Sequence, residues 1–298
     1  MREVRNPSLS AITTLGLGGT CSLELTVSSR DDLAAMDDRI RELGLPVYVV
    51  GRGSNIFGLD GSHEAVLVRP AFTDGPAVLG DETADGGVLV SCGAGISLPV
   101  LLAFLREKGL SGMEGLAGIP GTVGGAVAMN AGSFGTSTAE SLDSVEIWSG
   151  GRLVRLTPDA GETGYRHFRP RGLAGSFLVV SAVFRLSRST SQDVAAGMQH
   201  NFQMKKSRQP ITARSAGCVF RNPACGVSAG ALLERAGFRG RRKGSVALSE
   251  QHANFLVNLG GGTSSEALAL LEEARTAVRA MAGVELDFEV RFLPCLSS

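Results

Sequence analysis

The sequence predicts a mixed α+β chain in two parts: a larger region up to about Leu186 and a smaller α+β region after it. Three observations carry this. Apolar residues recur at helical spacing between recognisable caps, short apolar runs of strand length lie between them, and two glycine-rich loops are confined to the first part. At 298 residues the chain is long enough for two domains and a substantial core. The expected boundary puts 1–187 in the first and 188–298 in the second.

The elements follow in order. Ser29 caps a helix from Arg30 to Leu43, with Leu33, Met36, Ile40 and Leu43 on one stripe and Gly44 as its stop. Pro46 to Val50 is a strand running straight into Gly51-Arg52-Gly53-Ser54-Asn55. Ala65 to Val68, Gly87 to Ser91 and Val145 to Trp148 read as short strands, and Ser97 caps a second helix through Leu101, Leu102 and Leu105 to Gly109. Ser187 to Ser191 reads as a linker, with Thr190 and Asp193 forming a capping box for the next helix. Beyond it lie helices from Ala229 to Ala236 and Ser264 to Met281, and strands from Cys218 to Arg221, Asn254 to Asn258 and Leu286 to Leu293. In the last, Leu286, Phe288, Val290 and Phe292 alternate with Asp287, Glu289 and Arg291, so one face packs and the other is polar. That polar face reads either as an ordinary wet surface or as the wall of a cleft.

From Glu114 to Phe134 the chain carries six glycines and four alanines. Glycine exposes backbone N–H groups without a Cβ in the way, and successive N–H groups form concave nests for phosphate oxygens. A plain series of turns is the alternative for this segment alone. With Gly51 to Asn55 as a second small-residue loop, the pair points to a phosphate-rich cofactor gripped from two sides. Neither loop is a dinucleotide fingerprint, because Ile56 stands where the third glycine belongs, nor a Walker loop, because Gly124-Gly125-Ala126 offers neither lysine nor hydroxyl.

The 29 basic and 29 acidic residues cancel, which recommends neither nucleic acid nor an anionic membrane as a partner. Two local basic clusters remain, Lys205, Lys206, Arg208 and Arg214, and Arg239, Arg241, Arg242 and Lys243. Each reads either as a solvated face or as a grip on an anionic substrate. The five cysteines, Cys21, Cys92, Cys218, Cys225 and Cys295, are odd in number and widely spaced, with no C-x-x-C, so neither a disulfide framework nor a metal site is expected. The first ten residues hold no signal-like apolar segment, and a cytoplasmic location is expected.

Taken together, Gly16-Leu17-Gly18-Gly19, Gly51 to Asn55, Gly115 to Gly135, Gly164-Tyr165-Arg166, Arg208-Gln209-Pro210, Ala216 to Pro223, His252-Ala253-Asn254-Phe255 and Glu289-Val290-Arg291-Phe292 form an ordered set of motifs. In these the chain resembles the UDP-N-acetylenolpyruvoylglucosamine reductase family. The resemblance implies a PCMH-type flavin-binding region, as in vanillyl-alcohol-oxidase-type enzymes, followed by a C-terminal substrate-binding domain. It implies FAD and NADPH as cofactors and UDP-N-acetylenolpyruvoylglucosamine as substrate, in a monomer serving peptidoglycan precursor synthesis.

The implied chemistry is hydride delivery to the enolpyruvyl methylene carbon, leaving carbanion character that delocalises into the substrate carboxylate. By resemblance Arg166 stabilises that charge, Glu289 assists at the enol, and Cys218 stands where the family usually has a proton-donating serine. A thiol, with an ordinary pKa of about 8.5, is a stronger acid than a hydroxyl, so the exchange is chemically credible. The FAD contacts implied are Gly51, Arg52, Gly53, Ser54, Asn55, Gly115, Ile119, Pro120, Gly121, Thr122, Gly124, Gly125, Ala126 and Asn130, and the substrate contacts Tyr165, Arg208 and Asn222. His252 reads as a hydrogen-bonded structural histidine rather than a base.

The chain departs from the family pattern at Ile12, at Phe168 and at Lys243-Gly244-Ser245. Cys218 follows Arg185 too closely to leave room for a tyrosine-bearing lid, so the shorter branch is expected. The competing readings are another flavin oxidase or dehydrogenase of the same fold, which leaves Arg166, Cys218 and Glu289 unexplained together, and a non-catalytic UDP-sugar binder.

Overall fold

The strand Leu178–Arg188 is the spine around which the first half of the fold is built. Its near-continuous apolar run suits a position between two neighbours, and it pairs antiparallel with Leu142–Ser149 on one side and Gly87–Gly93 on the other. Ala182 lies opposite Val145 and Cys92, and all three are buried. Arg152–Leu156 and Ala77–Val78 complete the order at the two edges.

The computed structural model describes residues 1–164, 166–173 and 176–295. They divide into two units interleaved in sequence: Met1–Glu3, Leu25–Gly51 and Leu67–Lys205 in the first, and Val4–Glu24, Arg52–Val66 and the described residues from Lys206 onward in the second. The chain passes between units inside the strands Thr20–Val27 and Ser62–Pro70 and at the Gly51-Arg52 bond.

In the first unit the helix Arg30–Leu43 starts on the Ser29 and Asp32 capping box and stops at left-handed Gly44. The helix Leu98–Lys108 sets Leu98, Leu101, Leu102 and Leu105 in the core shared with the sheet, and left-handed Gly109 closes it. Part of the glycine-rich segment is helical rather than open, for Val123–Ala128 forms a short helix capped by Thr122. Gly124 within it packs against Ala94, where an added Cβ would lie 2.9 Å from the alanine Cβ. This glycine therefore serves protein packing.

The second unit has a four-stranded antiparallel sheet in the order Arg214–Cys218, Phe255–Asn258, Val246–Leu248, Arg242–Lys243, with the helices Ala229–Arg235 and Ser264–Ala282 sharing its core. Thr263 and Glu266 form the capping box of the longer helix, and left-handed Gly283 ends it.

Three expectations change. Ser187 and Arg188 are not linker: they continue the long strand, opposite Gly87 and Leu110, so only Ser189 and Thr190 separate it from the helix Ser191–Arg208. Thr190 does cap that helix with Asp193. The strand expected from Cys218 to Arg221 instead ends at Cys218, which pairs with Phe255 just past a bulge that contains left-handed Gly217. Beyond it the side-chain amide of Asn254 replaces a neighbouring strand, accepting from the Phe220 N–H at 2.9 Å and donating to its carbonyl at 2.8 Å.

The last strand is regular only over Arg291–Leu293, parallel to Ile56–Gly58. Before it, the N–H groups of Glu289 and Val290 both turn to the Val219 carbonyl, which breaks the alternating ladder. Its apolar face packs as expected, with Leu286 and Val290 buried, Phe288 stacked on Phe220 and Phe292 against Phe57. Its polar face is not wet throughout, since Glu289 is only 8% exposed.

Asn254→Ala leaves two buried backbone groups without partners, each worth about 1–3 kcal/mol. The expected loss in unfolding free energy is about 2–5 kcal/mol by urea titration, and a loss below about 1 kcal/mol would contradict the bridging role of this amide.

Candidate active site

In the first unit, the end of the glycine-rich segment organises Arg166. Asn130 donates from Nδ2 to the Gly164 carbonyl at 3.0 Å and accepts at Oδ1 from the Ala139 N–H at 2.9 Å. Arg166 reaches back and donates to the Gly132 carbonyl at 2.9 Å. Asn130, Phe134 and Arg166 all have left-handed backbones, with φ of 40°, 52° and 62°, and Asn6 is the only other non-glycine residue so placed among the described residues. Such conformations cost of order 1–3 kcal/mol each and persist where the surroundings over-determine them. Here those surroundings are the paired carbonyls of Gly164 and Gly132.

Lys205 enters the same neighbourhood from the helix Ser191–Arg208. Its side chain is buried, with the residue 2% exposed, and Nζ donates to the Gly115 carbonyl at 2.9 Å and to the Ala117 carbonyl. Ser133 Oγ donates to the same Gly115 carbonyl. Burial, with the Arg166 guanidinium adding to it, lowers the Lys205 ammonium from an ordinary 10.5 to about 8. Gly51 lies beside the second loop of this unit: a Cβ on it would stand 2.7 Å from Thr122 Oγ1, and its carbonyl accepts from Arg69 at 2.8 Å.

In the second unit, Cys218, Glu289 and Asn55 sit on bonded stretches of backbone. The Glu289 N–H donates to the carbonyl of Val219, next to Cys218, at 2.7 Å. Asn55 donates from Nδ2 to the Glu289 carbonyl at 3.2 Å, and its own carbonyl accepts from the Arg291 N–H at 3.0 Å. Thr14 ties Gly53 to the strand before Cys218, through its N–H to the Gly53 carbonyl and its hydroxyl to the Ser215 carbonyl at 2.6 Å. Gly53 must be glycine on two counts: its φ is +70°, and a Cβ would lie 2.2 Å from the Ile12 carbonyl oxygen.

The two loops carry open donors. Among the described residues the N–H groups of Arg52, Gly53 and Ser54 in one unit, and of Gly121 and Thr122 in the other, donate to no protein acceptor. Gly53 and Gly121 are buried. Buried backbone N–H groups are almost always paired, so the donors of each loop, taken by itself, suit an anionic group.

The remaining predicted residues lie as follows. Gly115 and Ala126 are buried, Ile119 packs on the core edge, Pro120 is exposed, and the Gly125 N–H donates to Thr122 Oγ1. Arg208 is exposed at the end of its helix, with no ion pair among the described residues. Asn222 Oδ1 accepts from the Ala229 N–H at 3.0 Å. Tyr165 lies outside the described residues. Cys218 is half-buried, whereas burial pushes the Cys21 and Cys92 thiols up to about 11 and about 12. His252 accepts from the Asn254 N–H at 3.2 Å and packs on Phe255, and burial lowers its imidazole below the usual histidine range.

Residues 209–293 match the model of the UDP-N-acetylenolpyruvoylglucosamine reductase C-terminal domain, and residues 22–157 that of an FAD binding domain. Over 297 residues the chain is 48% identical to the UDP-N-acetylenolpyruvoylglucosamine reductase of Nitratidesulfovibrio vulgaris, covering 99% of this chain and 100% of that one. This chain belongs to the UDP-N-acetylenolpyruvoylglucosamine reductase family. A second reductase of that name, from Oleidesulfovibrio alaskensis, is 47% identical over 97% of each chain. The crystal structure of the Thermus caldophilus reductase superposes with a TM-score of 0.79, at 32% identity and 98% coverage of both chains. The FAD-binding match in this chain spans Gly51 to Asn55 and Gly115 to Asn130, where the open donors lie.

Lys205, Thr14, Asn254 and the left-handed Phe134 are site-supporting residues that the motifs alone left unassigned. Lys205 did have a signal. Val194, Met198, Asn201 and Lys205 stand at i, i+4, i+7 and i+11, one stripe of a helix, and that stripe faces inward.

The Lys205 shift carries a sign that can be measured. Between pH 8 and 10.5 the unfolded chain holds a proton that the folded chain has released, so stability rises with pH across that window. The unfolding free energy of the wild type relative to Lys205→Met is therefore expected to increase from about pH 7.5 to about pH 10; a difference that stays flat or falls would contradict the buried ammonium.

Proposed function

We propose that this family member reduces the enolpyruvyl ether of UDP-N-acetylenolpyruvoylglucosamine to the lactyl ether of UDP-N-acetylmuramate, with Arg166, Cys218 and Glu289 as its catalytic residues. The observation that carries the assignment is the bonding of Asn55, Glu289 and the residue after Cys218 into one backbone cluster, joined to a loop with open N–H donors. Bound FAD supplies hydride transfer to the enolpyruvyl methylene carbon, with NADPH as the source of reducing equivalents.

The protein's part is to manage the charge and the proton. Hydride addition leaves negative charge on the adjacent carbon and the substrate carboxylate. A guanidinium in a fixed orientation stabilises that charge more in the transition state than in the ground state. Arg166, with its backbone held left-handed and one NH anchored on Gly132, supplies such a group. Cys218 donates the proton to the carbon beside the carboxylate, and Glu289, buried on the neighbouring stretch, holds the enol oxygen through its carboxyl group.

Residues 1–187 take the cofactor role and 188–298 the substrate role in this reading. On each loop by itself, the N–H groups of Arg52, Gly53 and Ser54, and those of Gly121 and Thr122, serve as donors to FAD phosphates, with Gly51, Asn55, Gly115, Ile119, Pro120, Gly124, Gly125, Ala126 and Asn130 as further FAD contacts. Arg208 pairs with the substrate diphosphate, Asn222 offers its amide N–H2, and Tyr165 serves as a substrate contact. The enzyme acts as a monomer in the cytoplasm; among the described residues no helix is long and apolar enough to cross a membrane.

The test is an anaerobic visible spectrum. Flavin bands are expected to bleach with NADPH and return on adding UDP-N-acetylenolpyruvoylglucosamine; bleaching without recovery would discard this substrate, and a protein that takes up no FAD would end the reading. Cys218→Ser is expected to retain substantial turnover and Cys218→Ala to lose about 10²–10⁴-fold. Near-wild-type turnover in the alanine variant would remove Cys218 from the mechanism.

A further inference from the structure

A buried ammonium is a costly choice on an inward helix stripe where Met or Leu would pack. On the helix Ser191–Arg208 only Val194 and Lys205 are buried. Among the described residues Lys205 has no carboxylate within ion-pair distance, so no salt bridge accounts for its charge. Its hydrogen bonds go to two backbone carbonyls, Gly115 and Ala117, on the short turn that opens the glycine-rich segment.

The route from there to Arg166 is short and continuous. The Gly115 carbonyl accepts from Ser133 Oγ as well as from Lys205. Ser133 follows Gly132, whose carbonyl anchors the Arg166 guanidinium. The backbone between them is tightly constrained: a Cβ on Gly132 would lie 2.2 Å from the Thr136 carbonyl oxygen, and Phe134, left-handed at φ 52°, sets its ring 5.7 Å from Lys205 Nζ. A shift of the Gly115 carbonyl therefore moves Ser133 and Gly132, and with them the group that holds the guanidinium.

We infer that Lys205 is a positioning residue for Arg166, acting through the shared Gly115 carbonyl and the Gly132–Ser133 strand. The inference rests on the reading of Arg166 as the group that stabilises the substrate's developing charge. It assigns Lys205 no contact with substrate or flavin. Its bonds to carbonyls fix the turn, and its positive charge discourages the Arg166 guanidinium from folding down into the space the lysine occupies.

The test is a double-mutant cycle read by anaerobic stopped flow on FAD-saturated protein, following bleaching by NADPH and reoxidation by UDP-N-acetylenolpyruvoylglucosamine separately. Lys205→Met is expected to slow reoxidation by about 10–100-fold while bleaching stays within about twofold, and Lys205→Arg, which keeps donors for the carbonyls, to recover most of the loss. In an Arg166→Met background the same Lys205→Met change is expected to cost less than about twofold. Equal losses in both backgrounds, or no loss in either, would overturn the inference while leaving the wild-type reaction intact. Failure of the wild type to reoxidise would instead remove the underlying reading. Should Lys205→Met fail to fold, Ser133→Ala removes the other donor to Gly115; a loss of about 3–10-fold that vanishes with Arg166→Met supports the route, and a loss that persists there overturns it.

Discussion

The left-handed backbone of Arg166 is the constraint on which the reading of this molecule turns. An arginine has no intrinsic reason to adopt φ of 62°, and the conformation holds because carbonyls on either side of it are already committed. Asn130 takes Gly164, two residues upstream, and the guanidinium itself takes Gly132. The glycine-rich segment thus does two jobs. Its middle offers open N–H groups suited to an anion, and its end presents the carbonyls that aim a cation.

The second unit shows the same economy around one carbonyl. Val219 receives the N–H groups of both Glu289 and Val290, which sacrifices a regular ladder but draws the carboxylate-bearing stretch against the one that carries Cys218. Asn254 compensates by standing in for a strand at Phe220. Asn258 does related work, donating to the Leu15 and Gly16 carbonyls while accepting from the Gly260 and Gly262 N–H groups. Side-chain amides, which can donate and accept at once, fill the places where the backbone cannot pair with itself. Residues of the Gly16 to Gly19 and His252 to Phe255 motifs are accounted for by this packing.

Much of this is legible in the sequence, and the exceptions are instructive. The helices after Ser29 and Thr190 announce themselves because capping and apolar period are local properties, whereas Ser97 opens its helix without a side-chain cap bond. The end of the strand Leu178–Arg188 does not, since Ser187 and Arg188 look like linker residues and become strand only through their partners Gly87 and Leu110. The interleaving of the two units has no local signature either. Alternation from Leu286 to Phe292 identified the packed face correctly but could not say that Glu289 would be buried, because that depends on Asn55 and Val219 far away in sequence. Lys205 was hidden by its company. In a run of basic residues it reads as surface, and only the stripe it shares with Val194 turns it inward.

The claim that a correctly aimed guanidinium, rather than positive charge alone, drives the second half-reaction is tested most directly by Arg166→Lys. That change keeps the charge and removes the planar fork. With NADPH-reduced protein, reoxidation by UDP-N-acetylenolpyruvoylglucosamine in single turnover is predicted to slow by about 10²-fold or more, with the rate of bleaching by NADPH unchanged. Reoxidation at the wild-type rate would mean that neither the left-handed turn nor its carbonyl anchors serve the chemistry, and the account built on them would fail.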